Sequence, residues 1–237
     1  MLPASRQTIL SRLAEDDKVL DVGGWADPFG RADWVLDVMP FETRGLYARE
    51  GWAPAREEPE RFSAETWVTR DICRREPWPF EDREFDFAIC SHTLEDVRDP
   101  LWVCSELTRV ARAGYVEVPS RLEEQSFSVA GAFAGWPHHH WLIDVEGDSV
   151  QFVFKTHAIH SDPRYSFPSG FVDALSPEER VSTLWWEGSF DFSERLFVDE
   201  PLDAFLSEPV RREMERRGVR RAGPLGRISR RLRRGGS

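Results

Sequence analysis

The feature that most limits what this chain can fold into is a series of short apolar runs that each end in a polar residue. They are "KVLDV" (18–22), "WVLDV" (34–38), "TWVTRDI" (66–72), "FDFAIC" (85–90) and "GYVEVPS" (114–120). Largely apolar runs of this length suit strands buried on both faces, as in a parallel sheet, and their polar ends then gather along one sheet edge. Parallel strands need crossovers. One is plain in "DPLWVCSELTRVARAG" (99–114), where Leu101, Val103, Leu107 and Val110 stand at near-helical spacing. Pro100 suits its first turn and Gly114 a C-terminal cap. The region is therefore α/β.

Around this series, residues 4–15 read as a short amphipathic helix carrying Ile9, Leu10 and Leu13. "WLIDVEGDSVQFVFK" (141–155) has two extended arms about Glu146-Gly147-Asp148, a hairpin pattern. "TLWWEGSFDFSERLFV" (183–198) reads as a second hairpin turning at or near Gly188, residues 200–218 as a helix, and the segment from Gly223 onward as a frayed or disordered tail. With 237 residues the chain suits one core. The expected domain spans 1–210, with a cofactor half at about 17–120, acceptor-binding elaborations at about 121–200, and an Arg-rich end at 211–237.

Charge narrows the partners. Of 31 basic residues, eleven Arg fall after residue 210 beside only Glu213 and Glu215, so nearly all of the 42 acidic residues belong to the body. An acidic body repels phosphate backbones and anionic membranes, so nucleic acid and membrane are not the expected partners. The basic end has three readings: a solvated tail, a contact with an acidic body, including that of a second subunit, and a contact with nucleic acid or phosphorylated groups. Cys73, Cys90 and Cys104 show neither disulfide nor zinc spacing, no apolar run has signal-peptide or spanning length, and a cytoplasmic protein is expected. Ten Trp suggest apolar, partly open surfaces and hence a pocket.

In an open parallel sheet, ligands collect at the C-terminal strand ends where the strand order reverses. Asp21 and Gly23, Asp37, Asp71, and Ser91 with His92 stand at those ends. Gly23 and Gly24 would let the backbone approach a ligand closely. Asp37 is placed to accept both hydroxyls of a ribose, and Asp71 to accept from an adenine amine.

The succession "VLDVGG" (19–24), "VLDV" (35–38), "RDI" (70–72), "PWPFEDREFDFAICSHTLEDVRDP" (77–100) and "ELTRVARAGYVEVPS" (106–120) resembles the core of the class I S-adenosylmethionine-dependent methyltransferases, more narrowly the branch that modifies small metabolites and sugars. The resemblance implies a Rossmann-like α/β sandwich: a mostly parallel seven-stranded sheet with an antiparallel hairpin at one edge, placed at 141–155. It implies S-adenosylmethionine as cofactor, with Asp21 and the backbone at Gly23 and Gly24 around the methionine portion. Asp37 would take the ribose, Asp71 and Ile72 the adenine, and Cys90, Ser91 and His92 would border the sulfonium.

Two departures from that family's pattern stand out. Trp25 and Asp27 occupy positions where further glycines are usual, and Asp37 follows so soon that the first crossover holds at most about two helical turns. This disfavours a nicotinamide cofactor, whose pyrophosphate needs GxGxxG opening a full helix. Trp25 has two readings, a wall for the methionine end or a ring packed under a tight turn. Asp96, where relatives often carry His, either contributes to the site or is simply exposed on a helix.

Methyl transfer to a hydroxyl also calls for a base, most often His. "GWPHHHWLI" (135–143) supplies three. If the run is extended, His138 and His140 face one way and His139 the other, so all three do not share one metal, and no metal is expected without ligands from elsewhere. His140 is the expected base and His92 the second candidate, set against solvated or structural roles for both. Glu117 and Ser120 either bind the acceptor or pair structurally. The expected activity is methyl transfer to O or N of a small molecule, with a sugar or glycoconjugate precursor as the narrower expectation, by a chain able to self-associate. The alternatives are a nucleic-acid methyltransferase using the basic end and an inactive methyltransferase-like scaffold.

Overall fold

The computed structural model describes residues 1–51, 59–197 and 201–219. The expected tail from Gly223 lies outside them. The main sheet has six strands in the order β3-β2-β1-β4-β5-β8. Strands β1 (Val19–Val22), β2 (Trp34–Asp37), β3 (Trp67–Thr69), β4 (Phe85–Ser91) and β5 (Ala111–Pro119) are parallel, and β8 (Val181–Glu187) runs antiparallel to β5 along one edge. Every residue of β1 is buried, as is nearly all of β2, which is the pattern of strands covered on both faces. Helix α1 (Pro3–Arg12) sends buried Ile9 into one side, where Val19, Phe29, Val35, Ile89 and Tyr115 meet. Helix α3 (Pro100–Val110) covers the other side with Val103, Leu107 and Val110.

Among the described residues the expected seven-stranded sheet is not found. Strands β6 (Trp141–Glu146) and β7 (Ser149–Phe154) form the predicted hairpin, but they join β9 (Asp191–Glu194) in a separate three-stranded sheet, order β6-β7-β9. The reason is burial on both faces. Trp141, Ile143, Val150 and Phe152 pack into the core beneath α3, whereas Leu142 and Val153 face Ala134, Ile159 and Leu206. Leu206 lies on α5 (Leu202–Arg216), the helix expected at 200–218. The hairpin is therefore an inner layer, and β8 takes the antiparallel edge that it was expected to fill.

The second expected hairpin also resolves differently. Gly188 does turn the chain, at φ +76°, but β8 pairs with β5 and β9 pairs in parallel with β7, so the turn hands the chain from one sheet to the other. Gly114 is not a helix cap either. Helix α3 ends at Val110 and β5 begins at Ala111, which places Gly114 inside the strand opposite Ala88 and Trp186. A Cβ there would lie 2.5 Å from the Ala88 carbonyl oxygen and 2.6 Å from the Trp186 ring, so glycine is required by sheet packing. The first crossover, residues 23–33, contains no helix at all.

The tryptophans pin segments together. Indole N–H groups of Trp67, Trp78 and Trp141 donate to the carbonyls of Met39, Ile72 and Val97, and those of Trp25 and Trp136 to the side chains of Thr43 and Glu123. Each ring thus buries apolar area while its one polar atom is satisfied across a loop. Among the described residues no helix is long and apolar enough to cross a membrane.

Candidate functional site at the C-terminal edge of the main sheet

Strand order reverses between β1 and β4, since the chain runs outward from β1 through β2 to β3 and then returns to β4 on the other side. The crevice beyond the C-terminal ends of these two strands is where an open α/β sheet binds ligands. Gly23 follows β1, and His92, at φ +51°, follows β4.

The loop after β1 is held by carboxylates in place of a helix. Asp21, buried at 3% exposure, accepts from the Phe29 amide at 2.7 Å. Burial pushes its pKa up to about 7, against the opposing pull of that amide and of Arg6. Asp37 accepts from the Trp25 amide at 2.9 Å and from the Met39 amide at 2.8 Å, and burial raises its pKa as well, opposed by the same amides. Gly24 is needed because a Cβ would fall 2.1 Å from the Asp21 carboxylate, and Gly23 because its φ is +76° and a Cβ would strike Thr93. Both glycines therefore serve close packing within the protein. Trp25, half-buried, packs with Phe29 and Phe41 and donates to Thr43 at 3.0 Å, in keeping with a ring fixed on a tight turn.

Other predicted residues sit at different depths. Asp71 is at the surface, paired with Arg98 at 2.6 Å, and that hydrogen bond lowers its pKa. Ile72 and Cys90 are core residues, the Cys90 thiol pushed well up by burial. Ser91 reaches toward Glu117 at 3.4 Å. His92 lies between two carboxylates, Nδ1 3.4 Å from Glu95 and Nε2 3.2 Å from Glu117. Burial pulls its pKa down, but the two carboxylates outweigh it and raise the pKa to about 9. Glu117 is fully buried and also receives the Leu2 amide and the Tyr115 hydroxyl. Burial would raise its pKa, yet His92, the α-amino group and Tyr115 hold it at about 2. Glu117 is thus a structural hub, and Ser120 caps the short helix α4 (Arg121–Glu124) by accepting from the Glu123 amide.

The histidine run is not extended. Pro137 and His138 form a turn, which breaks the alternation and brings the His138 and His139 rings to 4.6 Å. His140 is exposed, and its backbone does the joining: its amide donates to the Glu95 carbonyl at 2.7 Å and its carbonyl accepts from Lys155. His139 is the ring that the protein buries, with Nδ1 2.6 Å from Glu124. Asp96 is exposed beside this run, 3.8 Å from His139 and 4.0 Å from His138, and so belongs to the rim of the crevice.

Sequence reasoning missed four residues at this edge. Tyr47 lies on α2 (Leu46–Arg49), whose start is tied to the post-β1 loop by Gly45 and Tyr47 amides donating to the carbonyls of Trp25 and Ala26. Burial, followed by the charges of Asp96, Glu95 and Asp27, raises its phenol pKa, so those acids converge about it. Glu95 is buried at 1% exposure with Oε2 unpaired among the described residues. Glu124 and Lys155 form a buried pair at 2.7 Å under His139. An acid followed at once by another in "LEDV" was the only sequence signal for Glu95, and none marked Tyr47. An edge lined by Asp27, Asp37, Glu95 and Asp96 favours a cationic ligand and repels phosphate. S-adenosylmethionine fits that donor set through its sulfonium and ammonium groups, and the unpaired Glu95 oxygen offers an acceptor that lacks a partner.

Against known proteins, residues 51–116, about a quarter of the chain, match the family model described as a methyltransferase domain. No curated protein matches the sequence. Solved structures with partial likeness include a SAM-dependent methyltransferase from Aquifex aeolicus (19% identity, 49% of this chain and 64% of that one, TM-score 0.34). The YcgJ protein of Bacillus subtilis is another (20%, 49% and 51%, TM-score 0.35), as is the PH0226 protein of Pyrococcus horikoshii OT3 (16%, 48% and 54%, TM-score 0.34). The chain spans between 51% and 64% of the length of these structures, and such partial likenesses bear on neither substrate nor partner.

Proposed function

On the premise that this chain carries a class I S-adenosylmethionine-dependent methyltransferase-like domain, we propose that it transfers a methyl group from S-adenosylmethionine to an oxygen or nitrogen of a small molecule, in the first instance a sugar or glycoconjugate precursor. The observation that carries this reading is the convergence of Asp27, Glu95 and Asp96 about Tyr47 at the switch point between β1 and β4, where Glu95 keeps a buried carboxylate oxygen with no partner among the described residues. Bound there, the cofactor supplies a methyl group on a positively charged sulfur, a leaving arrangement that needs no phosphate cradle. The absence of a crossover helix after β1 is then no obstacle.

The chain's own residues bind, orient and take a proton. Asp37, already held by the Trp25 and Met39 amides, turns its remaining acceptor capacity to the ribose hydroxyls. Gly23 and Gly24 carry the methionine portion past the turn that Asp21 fixes. Asp71 and Ile72 mark the adenine end, one at the surface and one in the core. Ser91 and His92 line the floor, with Cys90 in the core beneath them. His92, with a pKa near 9, is protonated at neutral pH, so it donates a hydrogen bond more readily than it removes a proton. His140, exposed and joined through its amide to the Glu95 carbonyl, is the base that takes the acceptor proton as the methyl bond forms in line.

The test is calorimetric titration of the full chain with S-adenosylhomocysteine, repeated on Tyr47→Phe and Glu95→Gln with circular dichroism as the fold control. The expected result is one-to-one binding weakened by about tenfold or more in Glu95→Gln, the size of one charge-assisted hydrogen bond. A folded wild type that binds nothing refutes the reading and leaves a non-catalytic, methyltransferase-like binding protein in its place.

A further inference from the structure

The crevice rim carries a second cluster, which shares only Asp96 with the acidic edge described above. Asp96, His138 and His139 each present one ligand atom, and these atoms all lie within 4.8 Å of one another. They come from two distant segments. The join is specific: the His140 amide bonds to the Glu95 carbonyl and the Trp141 indole to the Val97 carbonyl at 2.8 Å, which fixes Asp96 against the histidine run. The turn at Pro137 and His138 then sets the two imidazoles nearly perpendicular, at 81°.

Beneath them, Glu124 fixes the chemistry of His139. Its carboxylate is 1% exposed and held by Lys155 on Oε2 at 2.7 Å, and Lys155 donates in turn to the Trp136 carbonyl at 2.9 Å. The other oxygen, Oε1, lies 2.6 Å from His139 Nδ1. Glu124 thus engages Nδ1, and Nε2, 3.8 Å from Asp96, is the ring nitrogen turned toward the cluster. Gly135 makes the approach possible, since a Cβ there would fall 2.5 Å from the Glu124 carbonyl oxygen. A buried carboxylate orienting a histidine whose other nitrogen faces a second histidine and an acid is the arrangement that supports metal-ligating imidazoles.

We infer that Asp96, His138 and His139 form a site for a divalent transition-metal cation of the zinc class, with Glu124 as the outer carboxylate that orients His139. Ligand atoms on a tetrahedral zinc stand about 3.4 Å apart. The observed Asp96 separations of 3.8 Å and 4.0 Å close by about half an ångström, and the two imidazole nitrogens, within 4.8 Å, draw in as well, through movement of the exposed His138 and Asp96 side chains. Three protein ligands leave a fourth position for water or for an oxygen of a bound molecule, and the site opens on the same rim as Tyr47 and Glu95.

The experiment is titration of the untagged, chelator-stripped full chain with zinc chloride by calorimetry, and with cobalt chloride by visible absorption. Wild type is expected to bind one equivalent of zinc with Kd below about 1 µM, and cobalt with the intense visible bands of a four-coordinate ion. His138→Ala and Asp96→Asn, both at exposed side chains, are expected to weaken zinc binding at least about tenfold and to abolish the cobalt bands, while His160→Ala leaves both unchanged. Absence of saturable one-to-one binding, or equal affinity in His138→Ala and Asp96→Asn, overturns the assignment.

Discussion

Asp21 carries an energetic consequence that is specific to this loop. Its carboxylate, 3% exposed, lies beneath the turn that replaces a crossover helix, and burial raises its pKa from 3.8 to about 7. Between those two values the unfolded chain has lost this proton and the folded chain has kept it, so folding binds a proton and stability falls as pH rises. The contribution is whole below pH 3.8 and gone above about 7. At about 1.4 kcal/mol per pH unit, the cost accumulated between pH 5 and pH 8 is about 3 kcal/mol. Asp21→Asn removes the titration and keeps a carbonyl oxygen for the Phe29 amide. Urea unfolding of both proteins, followed by tryptophan fluorescence at pH 5, 6, 7 and 8, isolates this group, because titrations not coupled to Asp21 cancel in the difference. The asparagine variant is expected to gain about 3 kcal/mol relative to wild type across that range. Parallel profiles, or a wild type that gains on the variant with rising pH, would refute the argument by showing that the Phe29 amide and Arg6 keep Asp21 ionised throughout.

Two further substitutions test the packing that shapes the crevice. Gly114→Ala places a methyl group against the Ala88 carbonyl and the Trp186 ring, neither of which is the loose end of a flexible side chain, so a loss of about 3 kcal/mol in unfolding free energy is expected and an unchanged urea midpoint would contradict the sheet register. Arg109→Ala leaves buried Glu106 without the guanidinium that holds it at 2.7 Å and frees the carbonyls of Trp78 and Phe80, with an expected loss of about 3 kcal/mol; a loss under about 1 kcal/mol would mean that this pair behaves like a surface ion pair.

The sequence by itself determined the parallel core. The apolar runs at 18–22, 34–38 and 85–90 became β1, β2 and β4 because strands buried on both faces must be apolar nearly throughout, and helix α3 appeared at the expected periodicity with Asp99 capping it and Pro100 in its first turn. Local chemistry also placed Gly23, Asp37 and His92 at the C-terminal strand ends, since those positions follow from strand boundaries alone. What lies across the sheet did not follow. Gly114 looked like a helix cap because only the facing Trp186, 72 positions along the chain, reveals why a side chain is excluded there. The hairpin at 141–155 was legible as a hairpin, but its pairing partner depends on which faces other elements cover, and Leu142 and Val153 are claimed by the helix that carries Leu206. The same holds for the rim. In sequence His140 was the histidine singled out as the base, whereas tertiary structure buries His139 and sets it against Glu124 and Asp96, because burial and the identity of the neighbouring charge decide what an imidazole can do.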